Sequence, residues 1–227
     1  MRLTTGRIET SFTQAKNMLT QRTIGPVCTG SISLDVSGMK EGDFAGLSLF
    51  QRKYGRGGGK GTDGRKYIVM VNGGYEKPME VEKVPLDQSV VYFKAECDFR
   101  NRVDKGYFYY SLDGNHWKVI GNVLNMEYTL PHFMGYRFAL FNYATKETGG
   151  YADFDYFKIE DRISDCRRAD ISYADDKLEG HKLDIYLPDT GKPSYKVVVL
   201  IYGSAWFANN MKQAAFQALG KPLLDKG

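Results

Sequence analysis

The sequence predicts a mainly β protein: an antiparallel β-sandwich followed by an incomplete α/β-hydrolase fragment. Two observations lead to this prediction. Short runs of apolar and β-branched residues, several of them alternating with polar residues, follow one another as far as Asp161, and the pattern changes after that residue. We therefore divide the 227 residues into a β-sandwich at 1–161, a polar connector at 162–168 and a truncated hydrolase-like fragment at 169–227.

The first part of the chain contains several runs typical of strands. In residues 91–98, Val91 and Phe93 share one face while Tyr92 and Lys94 share the other, which predicts a half-buried antiparallel strand. Only residues 14–19 suggest a short helical turn. The other predicted strands lie in residues 31–37, 44–51, 106–120, 136–143 and 151–159.

Residues 106–120 predict a tight hairpin, because Asp113-Gly114 separates two runs of aromatic and β-branched residues. Tyr107 and Tyr109 share one face of the first strand, and Trp117 follows on the second. Alternation alone leaves open whether that face is buried.

Residues 54–65 are rich in glycine and carry a lysine, which suggests a phosphate-binding loop. The spacing excludes that motif, because Gly61 follows Lys60 where the motif needs serine or threonine. The segment is therefore interpreted as a mobile hairpin at an uncertain sheet edge.

Residues 169–227 predict the beginning of a hydrolase sheet. Residues 170–174 and 181–187 are interpreted as its two opening strands, 196–201 as a buried third strand, and 211–224 as a helix. The third strand leads into Gly203, Ser204 and Ala205, which resemble an oxyanion-binding turn. No GxSxG motif is present, and none of the three histidines has the late position of a triad base, so we expect this turn to be inactive.

Composition and charge exclude several functional classes. The net charge of +4 comes without a dense Lys/Arg run, so no nucleic-acid partner is predicted, and no stretch approaches the ~18 apolar residues of a membrane span. The three cysteines lack CxxC spacing, which favours single buried thiols over a disulfide framework or a zinc site. The aromatic content of 14% suits an aromatic core or a sugar-binding surface.

Residues 3–26, with the segment LTQRTIGP, and residues 150–157, GYADFDYF, carry a family resemblance. They resemble the C-terminal β-sandwich of family 43 glycoside hydrolases of the β-xylosidase and arabinofuranosidase type, also classed as family 91 carbohydrate-binding modules. The resemblance implies a concanavalin-like jelly roll. The tail is similar to the start of acetyl-xylan or feruloyl esterases, which follow such hydrolases in xylan-degrading gut bacteria.

The resemblance also implies how the domain is used. In that family the catalytic carboxylates lie on a propeller domain that is not in this sequence, so we assign no catalytic residue here. The implied partners are xylan or xylo-oligosaccharides and that propeller, in a secreted or periplasmic bacterial enzyme. A sandwich loop of the family reaches the propeller's active site near Phe50 and Tyr54, which gives both rings a sugar-facing role.

Sugar binding needs flat rings flanked by polar side chains. We assign this role to five aromatic residues: Phe50, Tyr54, Tyr107, Tyr109 and Trp117. Asp153 and Asp155, two positions apart on one strand, are predicted ligands of a structural Ca²⁺, and no other cofactor is required. Two alternatives remain open: a glycoside hydrolase acting on xylan through carboxylates of the sandwich, and a structural domain that only docks on a propeller.

Overall fold

A computed structural model describes residues 1–74, 77–129, 134–163, 167–174, 178, 181–187, 196–201 and 219–224. The chain divides into two compact units, Met1–Ile163 and Ser164–Gly227, and the division falls within the predicted connector 162–168. Each unit is described by itself below.

The first unit contains thirteen strands in its described residues and two single-turn 3₁₀ helices, Phe12–Gln14 before the second strand and Arg100–Arg102 after the eighth. In chain order the strands are β1 (Arg2–Thr4), β2 (Met18–Arg22), β3 (Val27–Asp35), β4 (Asp43–Phe50), β5 (Tyr54–Thr62), β6 (Arg65–Gly73), β7 (Met79–Leu86), β8 (Val90–Asp98), β9 (Lys105–Ser111), β10 (Lys118–Val119), β11 (Leu124–Asn125), β12 (Arg137–Ala144) and β13 (Tyr151–Glu160).

Two antiparallel sheets form the sandwich. Within the described residues the seven-stranded sheet has the order β1-β13-β3-β8-β9-β10, with β11 also on β9, and the six-stranded sheet has the order β2-β12-β4-β5-β6-β7. Their facing sides form one apolar core that includes Ile32, Phe93, Phe108, Met70 and Phe138. The predicted antiparallel β-sandwich is confirmed.

Strand β8 shows how closely alternation determines burial. Val91, Phe93, Ala95 and Cys97 all point into the core, as predicted. The prediction of a half-buried strand is wrong, however, because Lys94, Glu96 and Asp98 on the opposite face are also buried. The covering of that outer face involves Trp117, whose ring centroid lies 4.7 Å from Lys94 Nζ.

The glycine-rich segment forms β5 and the tight turn into β6, so the predicted hairpin is present. Its interpretation as a sheet edge was wrong, because β5 is an interior strand between β4 and β6. The glycines are needed for close approach. A Cβ on Gly55 would lie 2.7 Å from the Phe108 ring, and one on Gly58 would lie 2.2 Å from the backbone oxygen of Ala45. The strand therefore accommodates a large ring of the opposing sheet on one side and neighbouring backbone on the other.

The predicted hairpin of residues 106–120 forms, but its turn is longer than the Asp113-Gly114 pair suggested. The connection spans residues 112–117, so Trp117 precedes β10 instead of lying in it. Gly114 has φ +80°, and Asp113 Oδ1 accepts the backbone N–H groups of Asn115 at 2.9 Å and His116 at 2.8 Å. The side-chain contact with His116, together with these two backbone hydrogen bonds, holds the pKa of the Asp113 carboxyl well below its usual range.

The helical turn predicted at residues 14–19 is misplaced. The 3₁₀ turn ends at Gln14, and Met18 and Leu19 belong to β2. The sequence patterns also gave no prediction of β6 and β7, although β6 contributes Ile68 and Met70 to the core.

In the second unit, β14 (Arg167–Ser172) and β15 (Lys182–Tyr186) form an antiparallel pair that includes most of the two predicted opening strands. Residues 196–201 have no regular secondary structure, so the predicted buried third strand is wrong: Val197 is 85% exposed and Ile201 91%. A short helix, α1, spans Lys221–Leu224 at the end of the predicted helix. Residues 211–218 of that helix, and the oxyanion-like turn Gly203, Ser204 and Ala205, lie outside the described residues.

Cys28 and Cys97 are buried free thiols, as predicted, and they face each other across β3 and β8. Burial raises the pKa of Cys97, while a hydrogen bond from Cys97 lowers the pKa of Cys28. Among the described residues, no helix combines the length and apolar character needed to cross a membrane.

Candidate functional site

The five predicted sugar-binding rings lie on two opposite outer faces of the sandwich. Along β9, Phe108 and Tyr110 point into the core, so the alternating Tyr107 and Tyr109 point outward. These two rings and Trp117 belong to the outer face of the seven-stranded sheet. Phe50 and Tyr54 belong to the outer face of the six-stranded sheet. The structure therefore does not bring the five rings into one site.

On the seven-stranded sheet, the two predicted tyrosines are covered. Tyr107 is 3% exposed and Tyr109 1%, so neither presents a ring face to a ligand in this conformation. Lys94 lies against them: its Nζ is 4.7 Å from the Tyr109 ring centroid and 4.7 Å from that of Trp117, and it pairs with Glu96 at 3.5 Å. The Lys94 ammonium thus contacts both the Tyr109 ring and the Trp117 ring.

Three rings on this outer face remain partly accessible. Trp117 and Tyr92 are half-buried, and Tyr156 is 37% exposed. Tyr92 lies opposite Ser33 on β3, and the other edge of β3 pairs with β13, which carries Tyr156. Burial and then the nearby Tyr92 raise the pKa of Tyr156. We refer to Tyr92, Trp117 and Tyr156 as the aromatic platform. Alternation along β8 could have identified Tyr92, which shares a face with Lys94, whereas a register shift in β13 between Phe154 and Phe157 obscured Tyr156.

On the six-stranded sheet, the 3₁₀ turn covers the predicted rings. Phe12 packs edge-on against Phe50 with centroids 5.6 Å apart, and its centroid lies 4.8 Å from that of Tyr54. Tyr54 is only 2% exposed, and burial raises its pKa. Of the two predicted residues on this face, Phe50 alone keeps an accessible part of its ring.

The same aromatic cluster encloses Arg56. Its guanidinium carbon lies 4.7 Å from the Phe44 ring centroid, 5.2 Å from that of Phe12 and 5.4 Å from that of Tyr143. Burial lowers the pKa of Arg56, and the Tyr143 hydroxyl partly opposes that effect. Arg56 Nε has no hydrogen-bond partner among the described residues. Aromatic faces therefore replace a carboxylate as the main partner of this cation.

A polar cavity of about 410 Å³ opens beside this cluster, under the N-terminal segment. We refer to it as the N-terminal cavity. Its wall includes six polar or charged residues: Thr5, Arg7, Glu9, Lys16, Asn17 and Asn142. A second hollow of about 450 Å³ adjoins it, sharing Arg7, Glu9 and Lys16. Sequence patterns did not identify this cavity, because most of its residues come from irregular segments, with Thr4 at the end of β1 and Asn142 and Tyr143 on β12.

The two predicted calcium ligands are in different environments. Asp153 accepts hydrogen bonds from Arg2 at 2.9 Å and 2.6 Å, and the contact lowers the pKa of Asp153. Asp155 is exposed. Nowhere in the described part of the chain do three or more His, Cys, Asp or Glu side chains come together as a metal site. The calcium site stays a prediction, with one of its two ligands engaged by an arginine.

The hydrolase-like features do not assemble a catalytic site in the described residues. His116 contacts Asp113 at 2.6 Å within an exposed turn, and His181 lies beside Tyr173 with ring centroids 5.6 Å apart. His132, like the oxyanion-like turn, lies outside the described residues.

Two family models match the chain. The model of the β-xylosidase C-terminal concanavalin A-like domain matches residues 1–160, and the esterase-like model BD-FAE matches residues 183–227. The first match spans the whole described sandwich. The second spans β15 and the residues that follow it.

Individual relatives agree with both matches. A bifunctional GH43-CE structure from Bacteroides eggerthii is 85% identical, with a TM-score of 0.91, over 100% of this chain and 29% of that protein. A β-xylosidase of Formosa agariphila is 29% identical over 157 residues, which is 67% of this chain and 24% of the relative. A GH43 glycoside hydrolase engineered for both endo-xylanase and exo-arabinofuranosidase activity is 28% identical over 71% of this chain and 34% of that one, with a TM-score of 0.67. The chain thus spans about a third or less of each of these proteins.

Proposed function

Because the chain belongs to the family of β-xylosidase C-terminal concanavalin A-like domains, we propose that it is a non-catalytic accessory module that binds xylan or xylo-oligosaccharides. In the longer protein the module serves a xylan-degrading glycoside hydrolase of family 43, whose propeller domain holds the catalytic carboxylates. Its role is to hold the polysaccharide near that site.

The observation that carries the proposal is the aromatic platform. Trp117, Tyr92 and Tyr156 lie on one sheet face and keep part of their surface accessible. Xylose units present flat apolar faces that stack on such rings. The buried pair Lys94 and Glu96 holds the Trp117 side of the platform in place, so little ordering is required when a ligand arrives.

Polar groups around the rings supply the other requirement of sugar recognition. Lys158 is an exposed neighbour of the platform, and its ammonium pairs with Glu160 at 3.2 Å. Ser31 is directly opposite Lys158 on β3. Ammonium and carboxylate groups such as these can hydrogen-bond the hydroxyls of a xylan chain.

Isothermal titration with xylohexaose tests the proposal. We expect saturable heat for the 227-residue chain and a loss of about tenfold in affinity for Trp117→Ala, since one aromatic contact is worth about 0.5–1.5 kcal/mol beyond its buried area. Tyr128→Ala is the matched control, because Tyr128 is 66% exposed and lies outside the platform. Its affinity is expected to equal that of the unmodified chain.

The same mixtures should then be analysed by sugar chromatography. Intact hexaose together with saturable heat supports a binding module. Shortened products that disappear on substitution of one sandwich carboxylate would instead establish a glycoside hydrolase. Neither heat nor products would contradict sugar binding and leave docking on a propeller as the function of the sandwich.

A further inference from the structure

We propose that the N-terminal cavity is a second carbohydrate site, which takes a sugar acid: a hexuronic acid unit carried as a branch on the xylan chain. This inference rests on the proposed function for the polysaccharide, but the site is separate from the aromatic platform. The cavity volume of about 410 Å³ falls within the ~300–1,000 Å³ of small-molecule sites.

The walls of the cavity are held by hydrogen bonds to the sandwich. Glu9 N–H donates to the Ala144 backbone oxygen at 2.8 Å, and Thr5 Oγ1 donates to Gly150 O at 3.1 Å. Asn17 Nδ2 donates to Thr4 O at 3.1 Å, which ties one wall to the other. The irregular N-terminal segment is therefore a fixed wall, and the cavity is formed before a ligand arrives.

Asn142 provides an unsatisfied hydrogen-bonding group in this wall. Its side chain is fully buried, and its Nδ2 donates to Leu3 O at 2.6 Å. Its Oδ1 has no partner among the described residues. This oxygen has almost no accessible surface, so it lies behind the wall and is not itself a contact for a ligand. Thr4, Arg7 and Glu9 line the cavity with polar groups that can bind sugar hydroxyls.

The charges in the cavity favour an acidic sugar over a neutral one. Arg7 and Glu9 neutralise each other through a 2.5 Å contact, and Glu9 is 8% exposed. Lys16 lines both hollows and makes no ion pair or hydrogen bond with the described residues. The cavity thus carries one uncompensated positive charge beside polar side chains that can bind hydroxyls. A carboxylate and several hydroxyls on one ring satisfy both features.

Two ligands that differ by one glucuronic acid residue test the inference. The 227-residue chain should be titrated with xylotetraose and with xylotetraose carrying one glucuronic acid branch. We expect the branched ligand to bind about tenfold more tightly, the size of one hydrogen bond to a charged group. Lys16→Gln should remove this advantage and leave the affinity for unbranched xylotetraose unchanged. The matched control is Lys77→Gln, an exposed lysine away from the cavity, which should preserve the advantage.

A third variant makes the charge argument sharper. Glu9→Gln frees Arg7 from its partner while keeping the shape of the side chain, so the advantage of the branched ligand should increase. Equal affinities for the two ligands, or an advantage that survives Lys16→Gln, would overturn the inference.

Trp117→Ala separates the two proposals. If it weakens both ligands while the unmodified chain shows no acid advantage, the platform proposal stands and the cavity inference fails. If the acid advantage depends on Lys16 and Trp117→Ala changes neither affinity, the cavity inference stands and the platform proposal fails.

Discussion

Arg56 shows how a single residue can depart from the usual rules of burial. Charged side chains are rarely buried without an opposite charge. Here the guanidinium lies between aromatic rings of both the sheet and the 3₁₀ turn, and its Nε lacks a partner among the described residues. Each cation–π contact stabilises the buried guanidinium by about 0.5–2 kcal/mol, whereas removing the ion from water costs several kcal/mol.

We therefore predict that Arg56→Met leaves the free energy of unfolding unchanged or raises it by about 1 kcal/mol, because an apolar chain of similar length fills the same space without desolvating a charge. Urea unfolding monitored by fluorescence measures the change. Arg56→Ala is the comparison, and its cavity should cost about 2–4 kcal/mol. A loss greater than about 2 kcal/mol for the methionine variant would mean that the charge itself stabilises the fold.

At the scale of elements, β5 carries the main lesson about sequence and structure. The sequence predicted β8 from its alternation, and β4, β12 and β13 from their apolar runs. In each strand the pattern of apolar side chains indicates a buried face. Glycine has no side chain to show a pattern, so β5 was interpreted as a hairpin at a sheet edge. In the interior of the sheet, Gly55 leaves the space that the Phe108 ring of the opposing sheet occupies, and Gly58 allows the close approach of the neighbouring strand.

Substitutions in β5 should follow this geometry residue by residue. Gly58→Ala is expected to reduce the free energy of unfolding by about 3 kcal/mol, because its Cβ would lie 2.2 Å from the Ala45 backbone oxygen and backbone yields little. Gly57→Ala is the matched control: its Cβ would meet Phe93 at 3.5 Å, an ordinary contact, and stability should change by less than about 1 kcal/mol. Equal losses for the two variants, measured by thermal unfolding, would contradict the close-approach argument.

Sequence patterns identified part of one candidate site and missed the other. Trp117 was identified from the sequence because a large ring beside a hairpin is conspicuous, whereas Tyr107 and Tyr109 on the same face proved to be buried. Alternation separates two faces but does not reveal what covers the outer one. The N-terminal cavity was missed because its wall combines residues between Thr4 and Asn17 with Asn142 and Tyr143, which are far away in sequence and share no spacing with them.

At the scale of the whole molecule, the two units differ in how they treat apolar residues. The sandwich buries its large side chains between two sheets, while Val197, Val199 and Ile201 in the second unit are at least 75% exposed. An exposed apolar run of this kind promotes association between molecules.

We predict that Val199→Lys reduces self-association of the chain and leaves the thermal midpoint of the sandwich unchanged, because the new charge interrupts the run without touching the core. Light scattering across a concentration series measures association, and circular dichroism measures the midpoint. Met79→Lys is the control, since Met79 is 60% exposed but lies in the sandwich away from this run. A similar decrease with both variants would assign the effect to net charge and not to residues 197–201.

The strand pairing within the sandwich has a consequence for the chain as it is being synthesised. The first two strands pair with the last two: Arg2 is opposite Asp153, and Leu19 is opposite Leu140. Neither pairing can form until the ribosome has released residues near the end of the unit, so β1 and β2 wait without partners while some 120 residues are translated. At 5–20 residues per second this interval lasts about 6–24 seconds, during which the edges of β3 and β4 are open to chaperones or to other nascent chains. The topology thus makes completion of the fold an event of late translation.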